Sequence, residues 1–216
     1  MLQQKRLSIV ILADGNYPTA KYPLSLLRDA DYIICCYASV LKLKDIAPNY
    51  IVGDMDTLPA EYKAQYRDII VQSSCQETND QTKAFRWVLD NLSNVGSIYI
   101  LGATGEREDH TIGNISLLTE YARSYDLDAM GITLEMVSDY STIFAITDTC
   151  EMECGEGRKV SIFSPDNSLR IKSQGLEWPT DDVVFDNWWK ATLNRASQDN
   201  VRLEFSHKSI ALIMLN

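Results

Sequence analysis

The sequence contains few of the residues that mark disulfide-stabilised, zinc-binding or nucleic-acid-binding proteins. Among its 216 residues are five cysteines and two histidines. An odd number of scattered cysteines does not form a disulfide framework. Cys150 and Cys154 could be a metal pair, but no second Cys/His pair accompanies them, so buried strand cysteines are the better interpretation. The net charge of −10, without any basic run, argues against a nucleic-acid or anionic-membrane binder.

Long hydrophobic runs are also missing. No apolar stretch approaches the length of a membrane span, and residues 1–6 lead straight into a short strand-like run, so no signal peptide is visible. We therefore expect a cytoplasmic, reduced protein without a membrane partner. Hydrophobic residues make up 45% of the chain, which is ordinary for a globular protein with room for one large or two modest domains.

Short apolar runs alternate with amphipathic segments through the first two thirds of the chain. The runs predict buried strands at 7–13, 32–37, 50–52, 69–71 and 97–101. The segments predict helices at 59–66, 80–92 and 110–124. We expect Pro59 in the first turn of the first helix, Asp80 as the cap of the second, and one apolar face on the third, formed by Ile112, Ile115, Leu118 and Ala122. This alternation predicts an α/β domain with a mostly parallel sheet.

After about residue 131 the helical segments stop and short β-rich runs follow one another. They predict strands at 132–137, 142–147, 159–163, 169–172, 201–205 and 209–214. Such a pattern is typical of an antiparallel sandwich or barrel. The sequence therefore predicts two domains, an α/β domain at 1–128 and an all-β domain at 129–216.

Three acidic clusters lie where predicted strands end or predicted helices begin. Asp54 and Asp56 follow the run at 50–52, Asp80 opens the second helix, and a glycine-rich segment at 102–110 follows the last strand of the α/β part. Parallel sheets bind ligands at the carboxyl ends of their strands, so the clusters point to one site. Carboxylates beside glycine turns suit a hard cation, typically Mg²⁺ bridging substrate phosphates. The clusters therefore favour phosphate-transfer chemistry.

Each cluster taken alone also allows a simpler interpretation. Asp54 and Asp56 would share one face of an extended chain, and hence one cation, but aspartate is also a common turn residue. Asp80 could be no more than a helix cap. The case for a metal site depends on the three clusters together.

The segment at 102–110 is the most specific of the three. Its two glycines allow the backbone to approach a phosphate closely, and the following helix offers its positive end. Arg107 can pair bidentately with phosphate oxygens, and Asp109 could ligate a metal or orient a hydroxyl. His110 is a weak candidate for a base, and Asn114 lies one turn further on the same side of the helix.

Three of the four tryptophans lie near the C-terminal end, at Trp178, Trp188 and Trp189. Core packing is the default role of tryptophan. Trp178, however, lies in a turn-forming segment with glycine and proline, where it could stack on a flat, cationic heteroaromatic ring.

The order and spacing of these motifs resemble the thiamine pyrophosphokinase family, bacterial type, over nearly the whole chain. The family's Gly-Asp-Phe-Asp-Ser is matched at 53–57, and its Gln-Asp-x-Thr-Asp-x-x-Lys is similar to 76–83. Its Gly-x-x-Gly-x-Arg-x-Asp-His motif and the asparagine of the next helix match 102–114. Its Gly-Leu-x-Trp/Tyr-Pro pattern matches 175–179, and the end of its Ser-Thr-Ser-Asn stretch is represented by 193–194.

The resemblance implies a homodimer of chains that each combine an α/β domain with a β-sandwich, and composite sites between subunits. The implied reaction moves the pyrophosphoryl group of ATP to the primary hydroxyl of thiamine and releases AMP. By the same resemblance, Mg²⁺ is held by Asp54, Asp56 and Asp80, which form the implied catalytic set together with Asp109, the residue that orients the hydroxyl.

Other residues are implied to bind the substrates. Lys83 and Arg107 steady the phosphates, and Trp178 stacks on thiamine from the partner subunit. The full implied binding set is Gln76, Asn79, Thr82, Lys83, Gly105, Arg107, His110, Asn114, Trp178 and Asn194.

One departure from the family pattern follows the second strand. Where the family has Asp-Gly-Gly-Ala, residues 37–40 read Tyr-Ala-Ser-Val, so a carboxylate becomes a phenol and two glycines gain side chains. The leading hypothesis is a Mg²⁺-dependent thiamine pyrophosphokinase. The alternatives are a catalytically impaired thiamine- or nucleotide-binding relative, and an α/β protein acting on another alcohol-bearing phosphate acceptor.

Overall fold

The chain divides into two compact units. The first runs to Ile115 and also includes Leu127–Asp139; the second comprises Ser116–Asp126 and Tyr140–Asn216. The structure, a computed structural model, describes three stretches of the chain, namely 5–54, 58–73 and 75–216. The expected boundary between residues 128 and 129 falls within a segment of the first unit, and as a domain boundary it stays a prediction.

A parallel sheet forms the centre of the first unit, as the sequence predicts, but it also contains the strand at 132–137, which the sequence analysis wrongly assigned to the antiparallel part. Its strands are β1 (Leu7–Leu12), β2 (Tyr32–Cys36), β3 (Tyr50–Gly53), β4 (Ile70–Gln72), β5 (Val95–Leu101) and β6 (Thr133–Val137). They pair in the order β6-β5-β1-β2-β3-β4, and each pair is parallel. The central strand β1 is buried on both faces from Ile9 to Leu12, which explains its unbroken apolar sequence.

Helices connect these strands. They are α1 (Lys21–Asp29), α2 (Ala60–Gln65), α3 (Asp80–Asn91), α4 (Glu108–Ser124) and α5 (Leu127–Met130), and a 3₁₀ helix covers Tyr37–Lys42. Helix α1 and the 3₁₀ helix were not predicted. Their segments are only nine and six residues long, and Pro23 lies within the first of them.

Three details of the predicted helices are wrong. Asn79, not Asp80, caps α3: the Asn79 Oδ1 accepts a hydrogen bond of 2.9 Å from the Thr82 backbone N–H, and Asp80 is the first helical residue. Pro59 occupies the cap position of α2 rather than its first turn. Ile112 is 57% exposed, so the apolar face of α4 does not extend to it.

The second unit is an antiparallel sandwich, as expected. Its strands are β7 (Thr142–Ile146), β8 (Cys150–Glu153), β9 (Lys159–Phe163), β10 (Ile171–Gln174), β11 (Ala191–Arg195), β12 (Asn200–Phe205) and β13 (Ala211–Leu215). They pair in the orders β11-β9-β13-β7 and β10-β12-β8. One core contains buried residues of both sets, including Val160, Ile213, Ile171 and Leu203.

The five cysteines, all of which lie within the described residues, form no disulfide with one another. Cys35, Cys36 and Cys154 are buried, and burial raises the pKa of the Cys35 thiol to about 12. Of the helices that the structure describes, none has the length and apolar character needed to span a membrane.

Candidate active site

A pocket of about 350 Å³ lies within the first unit, where the sequence predicted the acidic clusters to meet. Residues that follow β1, β2 and β5 line it together with the first turn of α3 and residues of α4. The lining residues are Ala13, Asp14, Gly15, Cys36, Tyr37, Ala38, Asn79, Asp80, Gln81, Ala103, Gly105, Glu106, Arg107, His110 and Asn114. The pocket therefore occupies the carboxyl edge of a parallel sheet, the usual ligand position in this architecture.

The end of β3 meets the beginning of α3 beside this pocket. A Cβ placed on Gly53 would lie 3.1 Å from Asp80 Oδ2 and 2.8 Å from the Tyr37 Cβ. Only glycine fits such a corner without displacing its neighbours. Asp80 therefore lies against the residue that precedes Asp54, although the two carboxylates are more than 25 positions apart in sequence.

Two of the three predicted Mg²⁺ ligands belong to this corner. Asp54 and Asp80 offer carboxylate oxygens, the donors that Mg²⁺ prefers. The third, Asp56, lies outside the described residues. Within the part of the chain that is described, no three acidic, histidine or cysteine side chains form a group that could hold a metal ion. The donor chemistry fits Mg²⁺, and the metal site stays a prediction.

Lys83 is placed behind the pocket rather than in its lining. Its side chain is only 5% exposed, and its ammonium lies 3.0 Å from Asp80 Oδ1. The ammonium thus balances the charge of a pocket carboxylate. Thr82 is buried and Gln76 is exposed, and neither is among the described residues that line the pocket. The binding roles implied for these three residues stay predictions.

A chain of amide hydrogen bonds joins the pocket's elements. Asn79 Nδ2 donates to Asn114 Oδ1 at 3.1 Å, and Asn114 Nδ2 donates to the Ala103 carbonyl at 2.8 Å. Gln81 Nε2 also reaches the Asn114 carbonyl, at 3.4 Å. These contacts fix the beginning of α3, the first turns of α4 and the loop after β5 relative to one another.

Arg107 and Asp109 form an exposed ion pair at the beginning of α4. Arg107 Nη2 and Nε donate to the two carboxylate oxygens at 2.6 and 3.1 Å. The Arg107 guanidinium and the His110 backbone N–H hold the pKa of Asp109 below its usual range, and the same carboxylate raises the pKa of Arg107. Both side chains are ionised at neutral pH, and an exposed pair of this kind exchanges partners readily.

In the second unit, Asn194 holds the backbone of Trp178. Asn194 Nδ2 donates to the Trp178 carbonyl at 2.6 Å, and its Oδ1 accepts from the Trp178 N–H at 3.2 Å and the Arg195 N–H at 2.8 Å. Asn194 is buried, whereas Trp178 is 53% exposed. The default of core packing is wrong for Trp178, Trp188 and Trp189, which all present large exposed ring surface.

Two family models match the chain, one in each part. The catalytic domain of thiamin pyrophosphokinase matches residues 23–129, and the substrate-binding domain of thiamin pyrophosphokinase matches residues 142–211. The chain belongs to the thiamin pyrophosphokinase family. Together the two matches cover most of the sequence.

Two curated relatives of this family come from Oryza sativa subsp. japonica. Thiamine pyrophosphokinase 1 is 28% identical over 173 residues, which are 72% of this chain and 62% of the relative. Thiamine pyrophosphokinase 3 is 35% identical over 79 residues, which are 33% of this chain and 30% of the relative. The chain thus spans less than two thirds of the length of either relative.

Solved structures of thiamin pyrophosphokinases share the fold. The enzyme from Bacillus subtilis superposes with a TM-score of 0.75 at 19% identity, over 96% of this chain and 98% of that one. The enzyme from Candida albicans gives a TM-score of 0.70 at 19% identity, over 96% of this chain and 89% of that one. These likenesses confirm the fold class that the sequence predicts.

The segment that departs from the family pattern has a structural role in this chain. Tyr37 is buried with a φ of 40°, and its hydroxyl accepts a hydrogen bond from the Leu58 backbone N–H. Its neighbour Ser39 donates to the Leu12 carbonyl at 2.7 Å. Ser39 therefore ties the 3₁₀ helix to the end of β1, and Tyr37 ties it to the segment before α2.

Lys42 and Asp14, two charged residues near the pocket, were missed by the sequence analysis, and Glu106 lay in the segment at 102–110 without a role of its own. Lys42 lies at the end of the 3₁₀ helix, and its ammonium is 3.0 Å from both the Asp14 and the Glu106 carboxylates. Asp14 follows β1 directly, a strand-end position that could have flagged it. No local signal marks Lys42, because its partners lie 28 and 64 residues away.

Proposed function

We propose that the chain is a thiamine pyrophosphokinase that transfers the pyrophosphoryl group of ATP to the hydroxyl of thiamine, giving thiamine diphosphate and AMP. The observation that carries the proposal is the pocket at the carboxyl edge of the sheet, where the Gly53–Asp54 corner, Asp80 and Arg107 come from three separate motifs. Family membership and the names of both curated relatives support it.

The chain's own residues act in this reaction mainly by positioning and charge balance. The first turns of α3 and α4 border the pocket, so the positive ends of both helices favour phosphate oxygens. Arg107 exchanges Asp109 for a phosphate. Asp109, freed of its partner, accepts a hydrogen bond from the thiamine hydroxyl and orients it for attack.

Magnesium is part of the proposal. Asp54, Asp56 and Asp80 would hold it, and its charge, when bound, lowers the cost of bringing nucleotide phosphates to an acidic pocket. Lys83 keeps the Asp80 carboxylate balanced before the ion arrives.

Thiamine binding is assigned to Trp178 of the partner subunit in a homodimer. Thiamine has a cationic ring, which an exposed indole attracts by cation–π interaction.

Sedimentation should give a dimer mass of twice 24.4 kDa. If the sites are composite, mixing inactive Asp80→Asn and Trp178→Ala subunits should restore roughly a quarter of wild-type activity, since half of the randomly mixed dimers then have one intact site. No restoration would place both residues in one subunit's site.

A cytoplasmic location belongs to the same proposal. Cys75 is exposed, and no disulfide joins any of the five described cysteines, which suits a reducing compartment. Fractionation of the native host, followed by detection of the chain in each fraction, tests it. Recovery in an oxidising compartment would exclude it.

The deciding experiment incubates the purified chain with ATP, Mg²⁺ and thiamine and identifies the products. AMP together with thiamine diphosphate is expected, and ADP would exclude pyrophosphoryl transfer. Asp54→Asn should abolish the reaction. Activity retained in that variant would exclude the metal role of Asp54.

The same assay tests the alternative hypothesis that the chain is a catalytically impaired thiamine- or nucleotide-binding relative. In that case thiamine should raise the melting temperature while no AMP forms. The triple variant Tyr37→Asp/Ala38→Gly/Ser39→Gly should then recover turnover. If the variant remains folded and inactive, this segment does not explain the missing activity. A chain that binds ATP and is not stabilised by thiamine would act on another acceptor.

A further inference from the structure

The Lys42 ammonium lies beside the pocket and contacts four oxygen atoms. Its ammonium donates to the backbone carbonyls of Asp14 and Gly15 at 2.6 and 2.7 Å and to Glu106 Oε1 at 3.0 Å. It also lies 3.0 Å from Asp14 Oδ1. Partial burial disfavours the charged form, but the hydrogen bonds and charges of Asp14 and Glu106 together outweigh it, and the pKa of Lys42 is raised.

The partners of Lys42 belong to two loops that also contact each other through the backbone. The Gly15 N–H donates to the Gly102 carbonyl at 2.6 Å, and the Asn16 N–H donates to the Thr104 carbonyl at 2.9 Å. A Cβ on Gly15 would lie 2.5 Å from the Thr104 carbonyl oxygen, so the loops can approach this closely only at glycine. Lys42 thus closes a junction between the loop after β1 and the loop after β5.

The second loop is held in an unfavourable conformation at the point that Lys42 contacts. Glu106 has a φ of 62°, in the left-handed region that side-chain-bearing residues rarely adopt. Such a residue keeps this conformation when surrounding contacts determine it, and the Lys42 ammonium is one of them. The next residue is Arg107, which is assigned to the phosphates.

The charge of the pocket makes this ammonium important for a polyanionic ligand. Asp14, Asp80 and Glu106 all line the pocket. Lys83 balances Asp80, as described above, and Arg107 is paired with Asp109. Without Lys42, two carboxylates within the pocket would face the ligand uncompensated, at distances where like charges repel appreciably.

We propose that Lys42 is a positioning residue for phosphate binding: it neutralises Asp14 and Glu106 and holds the loop that presents Arg107. The inference rests on the proposed function, since it assigns a polyphosphate to the same pocket. It adds a residue that acts through its neighbours and does not itself line the pocket.

The test measures binding of magnesium tripolyphosphate by calorimetry, together with kcat and KM for ATP. Lys42→Met should weaken binding and raise the KM for ATP about tenfold or more, with a smaller change in kcat. Lys42→Arg, which keeps the charge, should stay within about threefold of wild type. Lys44→Met removes an exposed lysine two residues away and serves as the matched control.

A second variant separates charge balance from a merely structural role. Adding Glu106→Gln to Lys42→Met removes one of the uncompensated carboxylates and should recover most of the lost affinity. Glu106→Gln alone should bind tripolyphosphate at least as tightly as wild type, and this comparison holds even if Lys42→Met does not fold. Weaker binding by Glu106→Gln, or an unchanged KM in folded Lys42→Met, overturns the inference.

The binding measurement keeps this inference apart from the proposed function. If the wild type binds tripolyphosphate but forms no AMP, the proposed function fails, and the Lys42 variants still decide the inference by their affinities. If the wild type forms AMP and the folded Lys42→Met protein matches it in KM, the inference fails alone. A wild type that binds no tripolyphosphate overturns the inference, and AMP formation alone then decides the proposed function.

Discussion

Asp80 has two neighbours beside the pocket. The Lys83 ammonium, 3.0 Å away and almost fully buried, needs a carboxylate beside it. Gly53, the residue before the proposed magnesium ligand Asp54, lies against the Asp80 carboxylate on another side. In the proposed site, a cation held by both aspartates would add a second positive charge beside Asp80.

Replacement of Asp80 by asparagine should therefore affect both stability and activity. The Asp80→Asn variant leaves the buried Lys83 ammonium without its counter-charge, so unfolding free energy should fall by about 1–3 kcal/mol. AMP formation should fall at least about a hundredfold, because a proposed metal ligand is lost. Urea denaturation and the AMP assay measure the two effects. Asp90→Asn, at an exposed position of the same helix, is the control, and equal behaviour of both variants would contradict the prediction.

In the second unit, the Asn194 side chain holds the backbone of Trp178 through two hydrogen bonds. Asn194→Ala should lower the unfolding free energy by about 2 kcal/mol, because buried backbone groups lose their partners. The KM for thiamine should rise more than kcat falls, since the indole is displaced and not removed. Steady-state kinetics with Asn187→Ala as an exposed control tests this. An unchanged KM for thiamine would show that Trp178 keeps its position without the hydrogen bonds from Asn194.

At the scale of single elements, the beginning of α3 combines a structural and a functional role in one residue. The Asn79 Oδ1 caps the helix, and its Nδ2 bridges to Asn114 on α4. Both groups lie at the pocket. The cap therefore determines where the first turn of the helix, including Asp80, stands relative to the loop after β5.

Two substitutions separate these roles of Asn79. Asn79→Ala should lose about 1 kcal/mol of stability, the usual cost of losing an N-cap. Asn79→Asp keeps the capping oxygen, so its stability should be close to wild type, but it loses the bridging donor. Thermal denaturation distinguishes the two variants, and both should show a raised KM for ATP. Full activity in Asn79→Asp would mean that the bridge to Asn114 is dispensable.

Asp166 joins two turns of the second unit, one before β10 and one before β13. It accepts hydrogen bonds from Ser168 and Ser209, and its Oδ2 lies 3.0 Å from His207 Nε2. The Ser168 and Ser209 hydroxyls and His207 hold the pKa of Asp166 well below its ordinary value of 3.8. Its stabilising effect is therefore complete above that value and is lost as pH falls towards the lower pKa of the folded state.

The pH dependence of stability should show the contribution of Asp166 to this junction. Asp166→Asn should be less stable than wild type at neutral pH, and its stability should fall less steeply below pH 3.8, because the proton uptake of this carboxylate is removed. Urea titrations at several pH values measure the slope. Asp181→Asn, an exposed aspartate of the same unit, is the control. Parallel slopes for wild type and Asp166→Asn would contradict the assignment.

At the scale of the whole molecule, the proposed reaction requires an acidic chain to bind a polyanion. The net charge is −10, and three carboxylates line the pocket itself. Helix N-termini, Arg107, Lys42 and a metal ion are the local sources of positive charge that the proposed reaction uses. The ion is the one component that solution conditions can remove.

Chelation should therefore stop the reaction without unfolding the protein. Excess EDTA should abolish AMP formation, and added Mg²⁺ should restore it. The melting temperature of the ligand-free chain should not change, because no described cluster is built as a structural metal site. Magnesium ATP at about a hundred times its Kd should stabilise the chain by about 2.7 kcal/mol. AMP formation that persists in EDTA would exclude the metal.

Local patterns were sufficient for much of the fold. The unbroken apolar sequence of β1 and the amphipathic period of α3 predicted both elements within one residue at each end. Elements with weaker patterns were missed, such as β8, whose burial alternates over only four residues, and β11, which contains a left-handed residue at Leu193 and a register shift. A short or irregular element has too few residues to establish a period.

The sequence by itself determined the order of strands and helices, the parallel and antiparallel halves, and the motifs gathered at one sheet edge, because periodicity and turn chemistry are properties of neighbouring residues. Only the tertiary structure decided how the side chains are used. Lys83 balances Asp80 from behind the pocket, Lys42 joins two distant loops, and Asn194 holds Trp178. These contacts depend on which strands lie side by side and on how far each turn reaches, and neither is encoded locally.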